Sequence, residues 1–237
     1  MGQSYFIWNG MDCRNMGVGL SGPVPIVRPE ERVQHIEIPG RSGDMTLLEG
    51  EEIYNSYIQT ASVFVRGGSR VREIYNWLKG SGYVTFSGEP DRKQSARIIG
   101  AVTLNKHSKN MDVWEGEVQF YCQPLKQLLL SDTVEITTSG STVYNRGDVK
   151  SKPLITLTAS ATSATVVIGG KTLTLTGITS GNSYLIDCDA EEMSDTLRTT
   201  IMTGKTSGPF PQLDPGSNTV TGTGWSKLAF DRRERFL

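Results

Sequence analysis

The chain has 237 residues, of which 21% are charged, and its formal net charge is −1. Because positive and negative charges nearly balance, this chain is not expected to bind nucleic acid or anionic membranes through a strong overall electrostatic field. No apolar run approaches the roughly 20 residues of a membrane-spanning helix, and the first ten residues lack the basic and apolar regions of a signal peptide. We therefore expect a protein that stays in the cytosol or leaves it by a route other than secretion, with no membrane or nucleic-acid partner.

A tight hairpin turn and a second, more rigid turn stand out in the first half of the chain. Residues 5–8 are aromatic and end at Asn9-Gly10, a dipeptide that favours a hairpin. Residues 32–38 alternate in polarity and predict a strand, but the alternation leaves open which face points inward. Proline fixes φ and glycine allows positive φ, so Pro-Gly-Arg-Ser-Gly-Asp at residues 39–44 must reverse the chain. Arg41 and Asp44 are therefore expected on an exposed turn, where charges suit contact with a neighbour.

Residues 17–22, which precede that turn, read Gly-Val-Gly-Leu-Ser-Gly and match the GxGxxG pattern of dinucleotide sites. Such a site needs an apolar strand before the motif and a helix that begins within it. Here polar residues precede the motif, and Pro23 and Pro25 follow it directly. We interpret the motif as a loop and predict no cofactor.

One helix is predicted in the first half, with Ser69 as its cap and Gly80 as the left-handed residue after its end. Its apolar residues recur at helical spacing and should lie across a sheet. This stripe consists of Val71, Ile74, Tyr75 and Leu78. Strands are predicted at residues 58–66, 83–86, 96–104 and 114–121.

The composition changes near residue 124, and Thr, Ser, Gly and Val dominate from residue 133 onward. Short, regularly spaced strands with polar outer faces predict a β-sandwich, in which Gly169-Gly170 joins two strands as a tight hairpin. We place the boundary within residues 127–131, which gives domains at residues 1–130 and 131–237. The predicted strands are 153–158, 165–168, 171–176, 183–187 and 225–236, with a Pro/Gly loop at 209–218.

Cysteine and histidine offer little material for a catalytic or metal site. Cys13, Cys122 and Cys188 are far apart, odd in number and without a CxxC or Cys/His spacing, so we predict small buried apolar residues. His35 lies in a predicted strand and His107 at a polar hairpin tip. Structural or solvated roles are the simpler interpretation for both histidines, and no metal is predicted.

Two further sets of charges are candidates for chemistry. Asp187 and Asp189 lie two residues apart at the end of a predicted strand and could share a face if the strand continued, as the paired carboxylates of a glycan hydrolase require. Solvated charges at a strand end are the simpler interpretation. The basic residues at 232–235 (Arg-Arg-Glu-Arg) could contact an acidic partner, but they are more typical of a solvated strand face.

Several segments together resemble the distal tail proteins of long, non-contractile-tailed phages and of prophages in Gram-positive hosts. Their order and spacing cover nearly the whole chain. The matching segments are residues 6–10, 36–44 with the Ile-Pro-Gly-Arg-x-Gly-Asp pattern, the helix ending in Trp77-Leu78, 88–91 with 96–97, 116–124, 145–148 with 152–157, 186–189 and 210–218.

The resemblance implies a mainly β protein with a small β-barrel-like, ring-forming domain at residues 1–130, which holds the helix, and a galectin-like β-sandwich at 131–237. It implies a hexameric ring, the baseplate hub, at the virion tail tip, assembled in the host cytoplasm. The ring would join the tail tube protein to the tail-associated lysin or tail spike, and a receptor-binding protein is a further candidate partner. No enzymatic activity is implied. Within this setting, Arg41 and Asp44 are candidates for contacts between subunits.

Two alternatives stay open. The galectin-like half could be a carbohydrate-binding module that attaches the tail to cell-wall glycans through exposed aromatic residues. The candidate aromatics are Tyr144, Tyr184, Phe210, Trp225, Phe230 and Phe236. The close spacing of the strands leaves no room for the inserted carbohydrate-binding module of larger relatives. A glycan hydrolase built on Asp187 and Asp189 is the other alternative.

Overall fold

A computed structural model describes residues 4–48 and 50–237 of the chain. These residues form two compact units that divide between Leu129 and Leu130, with the terminal Leu237 grouped with the first. Both units are built mainly of β-strands, which confirms the predicted fold class. None of the helices in the described residues is both long and apolar enough to cross a membrane.

The first unit holds one curled sheet, a separate two-stranded hairpin and the helix α1 (Val71–Trp77). Its strands are β1 (Phe6–Trp8), β2 (Met11–Asp12), β3 (Val18–Leu20), β4 (Val33–Ile36), β5 (Met45–Leu48), β6 (Tyr57–Arg66), β7 (Ser81–Phe86), β8 (Arg92–Ser108) and β9 (Met111–Leu128).

The strand order in the sheet is β2-β1-β7-β8-β9-β6-β3. The two strands at the ends of this order, β2 and β3, are joined by only residues 13–17, so the sheet must curl until its ends approach one another. Backbone bonds across the junction hold this closure, since Cys13 N donates to Phe6 O and Val18 N to Cys13 O. This closure agrees with the barrel-like shape expected for this half.

An aromatic cluster fills the centre of the first unit, because the inward positions of its strands carry large apolar side chains. The ring of Phe120, which is fully buried, lies 5.3 Å from that of Phe6, and 5.6 Å from those of Trp8 and Phe86. Trp77 of α1 stacks on Phe6 with 5.7 Å between ring centroids. The helix therefore covers the aromatic centre of the unit.

The helix itself confirms the prediction, but its predicted cap is wrong and its end lies earlier than expected. Ser69 lies in a 3₁₀ turn (Gly68–Arg70), and the residue that caps α1 is Arg70, which makes no side-chain capping bond. The helix ends at Trp77, with Leu78 as its C-terminal cap. Gly80 therefore takes the predicted left-handed conformation, with φ of 79°, one residue later than the position expected after the cap. Tyr75, predicted on the apolar stripe, is 38% exposed, and its hydroxyl accepts a bond from Leu104 N.

The second unit is a sandwich of two five-stranded sheets, with orders β10-β19-β12-β15-β16 and β11-β18-β13-β14-β17. Inward side chains of both sheets form one core, with Ile155 and Phe230 from the first and Val166 and Leu173 from the second. The strands of these sheets are β10 (Thr133–Ile136), β11 (Ser141–Asn145), β12 (Leu154–Ala159), β13 (Ser163–Ile168), β14 (Lys171–Thr176), β15 (Ser183–Asp187), β16 (Glu192–Asp195), β17 (Thr206–Ser207), β18 (Gly216–Thr223) and β19 (Trp225–Asp231), with a 3₁₀ turn at Thr203–Lys205. The short strand β20 (Arg235–Phe236) belongs to neither of the two sheets.

Several turns and boundaries were predicted well, and others were not. Gly169 and Gly170, with φ of 56° and 74°, join β13 to β14 as the predicted hairpin. The GxGxxG segment is not simply a loop, because Val18–Leu20 forms strand β3 against β6. The predicted last strand is broken after Asp231, and the predicted loop at 209–218 ends where β18 begins at Gly216.

Candidate subunit-contact surface

The most exposed element of the first unit is the β4–β5 hairpin, residues 33–48, called the arm below. Its strands pair antiparallel, with Val33 opposite Leu48 and Ile36 opposite Met45. They form a separate two-stranded sheet in the described structure. The predicted strand at 32–38 is thus shorter than expected, and the predicted chain reversal is present as the tip of the arm.

The two chain segments that flank the arm are bonded to each other at its base. Arg32 N donates to Ile53 O and Asn55 N donates to Glu30 O, each at 2.8 Å. The guanidinium Nε of Arg32 also donates to Asn55 Oδ1 at 3.1 Å. These bonds keep the two segments paired below the arm, up to the residues just before β6 begins.

Both faces of the arm are exposed, although its sequence is partly apolar. The exposed fractions are 43% for Ile36, 45% for Met45, 44% for Leu47 and 60% for Leu48. A two-stranded hairpin that buries neither face is marginally stable in water, and a contiguous apolar surface of this kind marks an interaction site. Alternation alone predicted a strand with one buried face, and nothing in the sequence indicated that both faces would be exposed.

The tip of the arm carries the two charged residues predicted for subunit contacts. Arg41 and Asp44 are exposed, and neither side chain forms an ion pair within residues 4–48 and 50–237. The backbone fixes the tip, because Arg41 N donates to Ile38 O at 3.1 Å while Gly40 and Gly43 take φ of 82° and 81°. The structure therefore brings both residues to one exposed turn without pairing them.

Asp187 and Asp189, the candidate carboxylate pair, do not lie together in a strand. Asp187 ends β15 and Asp189 lies in the turn that follows. Two nitrogens of Arg233 donate to the Asp187 oxygens at 2.7 and 3.0 Å, and Arg198 donates at 3.1 Å. The hydrogen bonds from Arg233 are the main reason that the pKa of Asp187 falls to about 2. Asp189 accepts a bond from Arg235 at 3.1 Å.

This arrangement favours a structural role for Asp187. A glycosidase acid needs a raised pKa so that it keeps its proton near neutral pH. The guanidinium groups around Asp187 have the opposite effect. The hydrolase alternative therefore loses its main residue as a proton donor.

The basic C-terminal segment is not a solvated strand face as predicted. Arg232 and Glu234 are 5% and 4% exposed. They form an ion pair, with 3.2 Å between Arg232 Nη1 and Glu234 Oε1. Arg232 also donates to Tyr144 O at 2.8 Å, and Arg146 pairs with Glu234 at 3.0 Å. The arginines of this segment neutralise acidic groups inside the second unit, a role that local charge patterning could not reveal.

Most of the aromatic residues considered for sugar binding are buried in the second unit. Tyr184, Trp225, Phe230 and Phe236 are buried, and Phe210 is partly buried against the core. Tyr144 on β11 is 55% exposed. Sugar-binding surfaces need accessible aromatic faces, so the carbohydrate alternative rests on this one candidate side chain.

The cysteines and histidines lie as the sequence predicted. All three cysteines are free and buried, and burial raises the pKa of the Cys122 and Cys188 thiols to about 12. His35 is exposed on the arm, and His107 pairs with Glu115 at 3.0 Å near the tip of the β8–β9 hairpin. No cluster of three metal-ligating side chains is found in residues 4–48 and 50–237.

The chain is similar to a known protein in its fold, although its sequence matches no family model. No protein-family model matches the chain, and no curated protein matches it. Among solved structures, the crystal structure of the Dit protein (gp 19.1) of SPP1 matches 100% of both chains with a TM-score of 0.80 and 21% sequence identity. The chain has the fold of SPP1 Dit. That protein is described as a paradigm of the hub adsorption apparatus in phages that infect Gram-positive hosts. The Dit fold confirms the resemblance that the sequence segments suggested.

Proposed function

We propose that this protein is a structural component of a phage or prophage tail tip, where it serves as the hub of the adsorption apparatus. The observation that carries the proposal is the likeness to SPP1 Dit over the full length of both chains. Fold alone does not determine function. The exposed arm adds independent support, because a hub must make extensive contacts with other subunits.

The proposed assembly is a closed ring of six copies formed by the first unit. Subunits of such a ring meet head to tail, so each copy needs two different, complementary surfaces. The arm supplies one of them, since its apolar faces would be buried by a neighbour and its tip carries Arg41 and Asp44. The bond from Arg32 to Asn55 would keep the two strands of the arm together at their base.

The proposed partners follow from the place of a hub in a tail. The ring would contact the tail tube protein on one side and the tail-associated lysin or tail spike on the other. A receptor-binding protein is the proposed partner of the second unit. The protein would act without a cofactor and without enzymatic activity, in the virion tail tip after assembly in the host cytoplasm.

Electron microscopy and mass measurement of the purified chain test the ring. We expect ring-shaped particles with six copies, in equilibrium with monomers. Arg41→Glu should change the fraction in rings and leave the monomer folded, while Lys79→Glu, which reverses an exposed charge after α1, should leave that fraction unchanged. A chain that stays monomeric from micromolar to millimolar concentration would contradict the proposal, and an undisturbed ring in Arg41→Glu would remove Arg41 from the contact.

A further inference from the structure

The chain segment that contains the arm is acidic compared with the rest of the chain, mainly through the residues on either side of the arm. Residues 28–55, which include the arm and the segments leading into and out of it, contain seven acidic and three arginine side chains. The net charge of the whole chain is only −1, so the remainder carries a net positive charge. Such a separation of charge within one chain suits head-to-tail contact between identical copies.

A basic cleft lies on the outside of the first unit, beside the edge strand β3. The cleft has a volume of about 380 Å³ and is lined by Arg14, Gly17, Val18, Gly19, Phe64 and Arg66. It therefore includes the glycines of the GxGxxG segment, which the proposed function leaves unexplained.

Gly19 explains how the cleft is built. An added Cβ at this position would lie 2.3 Å from the Phe64 ring, so only glycine allows the ring to lie flat across β3. The guanidinium of Arg66 in turn lies 5.9 Å from the centre of the same ring, within the range of a cation–π contact. The glycine thus positions a ring, and the ring supports a cation at the mouth of the cleft.

Arg66 differs from the other arginines around the cleft. Arg14 pairs with Asp12 at 3.0 and 3.1 Å through its Nε, and Arg70 pairs with Glu73 at 3.4 Å. No carboxylate pairs with Arg66 within the described residues 4–48 and 50–237. A fixed cation without a carboxylate partner in a cleft is a ready contact for an acidic group from another molecule.

The arm and the cleft lie at opposite ends of the same strand. β6 begins at Tyr57, directly after the base of the arm, and ends at Arg66 in the cleft. Ten strand residues span about 30 Å. A ring in which each copy extends its arm toward the next could therefore bring the Asp44 carboxylate at the arm tip to the cleft that holds Arg66 at every interface.

We propose that the arm tip of one copy binds the cleft of the next copy, with the Asp44 carboxylate paired to the Arg66 guanidinium. This proposal rests on the proposed ring and identifies the surface that receives the arm. The pairing is heterologous, because the donor and acceptor surfaces differ, and it repeats around the ring until the ring closes.

The test uses the full chain with two charge reversals, Asp44→Lys and Arg66→Glu. Each variant alone places like charges together at every interface, and we expect the concentration for half-maximal ring formation to rise at least about tenfold. The exposed charge reversal Lys79→Glu is the matched control and should leave ring formation unchanged. Circular dichroism and thermal unfolding of the monomers check that each variant folds.

Mixing the two variants in equal amounts separates contact between copies from contact within a copy. In an alternating ring, arms with the introduced lysine meet clefts with the introduced glutamate, and unchanged Asp44 arms meet unchanged Arg66 clefts. The mixture should therefore regain wild-type assembly, and the double variant should regain it as well. A mixture as defective as its components, or rings unaffected by either reversal, would overturn the pairing and leave the hub proposal standing. Absence of rings in the wild-type chain would instead contradict the hub proposal itself.

Discussion

Replacing Asp187 with asparagine should destabilise the second unit, and the size of the loss should depend on pH. The variant keeps the size of the side chain but removes the negative charge that Arg233 and Arg198 share. It also replaces one acceptor oxygen with an NH2 group, which cannot accept a hydrogen bond. At least one hydrogen bond from a guanidinium group is therefore lost. Two cations are then left beside one another without the anion that neutralised them.

The magnitude follows from the pKa of the carboxyl group. Its fall from the ordinary value of 3.8 to about 2 means that the folded state binds the ionised form more favourably than the unfolded state does. At about 1.4 kcal/mol for each pH unit, ionised Asp187 stabilises the folded state by about 2 kcal/mol at neutral pH. This contribution is fully present above pH 3.8 and is lost as the pH falls toward about 2.

Denaturant unfolding of the full chain at pH 7 and near pH 2.5 measures the effect. Peptide-level hydrogen exchange should accompany it, because β15 and β19 report on the second unit separately from the first. We expect the free energy of unfolding of the variant to be about 2 kcal/mol lower than that of the unchanged chain at pH 7, and the difference to be much smaller at the lower pH. The control is Asp214→Asn, since Asp214 is exposed and its carboxylate has no ion pair in the described structure. An equal loss at both pH values, or a loss no larger than that of the control, would refute this account of Asp187.

Two other predictions follow from close contacts and burial. An added Cβ at Gly116 would lie 2.0 Å from Thr103 O, a backbone atom, so Gly116→Ala should lower the free energy of unfolding by about 2 kcal/mol in chemical denaturation. Gly22→Ala, where the Cβ would meet open space, should change it by less than about 0.5 kcal/mol, and similar effects from both would be inconsistent with this explanation. The thiols of Cys122 and Cys188 should react with maleimide only after unfolding, because both are buried with a pKa of about 12; rapid labelling of the native protein, followed by mass spectrometry, would contradict this.

The parts of the fold that the sequence predicted are those set by local chemistry. Alternation located most of the long strands, and Gly169-Gly170 located a hairpin because left-handed backbone is costly for other residues. The apolar stripe found α1, but its ends were misplaced. Residues around Ser69 adopt a tighter 3₁₀ turn, in which Gly68 N donates to Asp112 Oδ2 from the distant β9 strand.

The parts that the sequence could not predict depend on distant partners. Asp187 lies in a network of ion pairs because Arg233 and Arg198, which are 46 and 11 positions away in the sequence, lie next to it in the fold. Strand β3 was missed because its three residues resemble a glycine loop and become a strand only through pairing with β6. The turn that carries Arg41 and Asp44 was located, but its place at the tip of a free-standing hairpin required the structure.

The position of the arm in the chain separates assembly from folding. It is inserted between β3 and β6, two strands that pair directly, so the barrel closes whatever the length of the segment from Ser21 to Ser56. Doubling or halving the length of a flexible connection of this kind changes the entropic free-energy cost of closing it by only about 0.6 kcal/mol. The arm can therefore lengthen, shorten or exchange its tip during evolution with little effect on the stability of the barrel, and its sequence is free to follow that of the surface it meets.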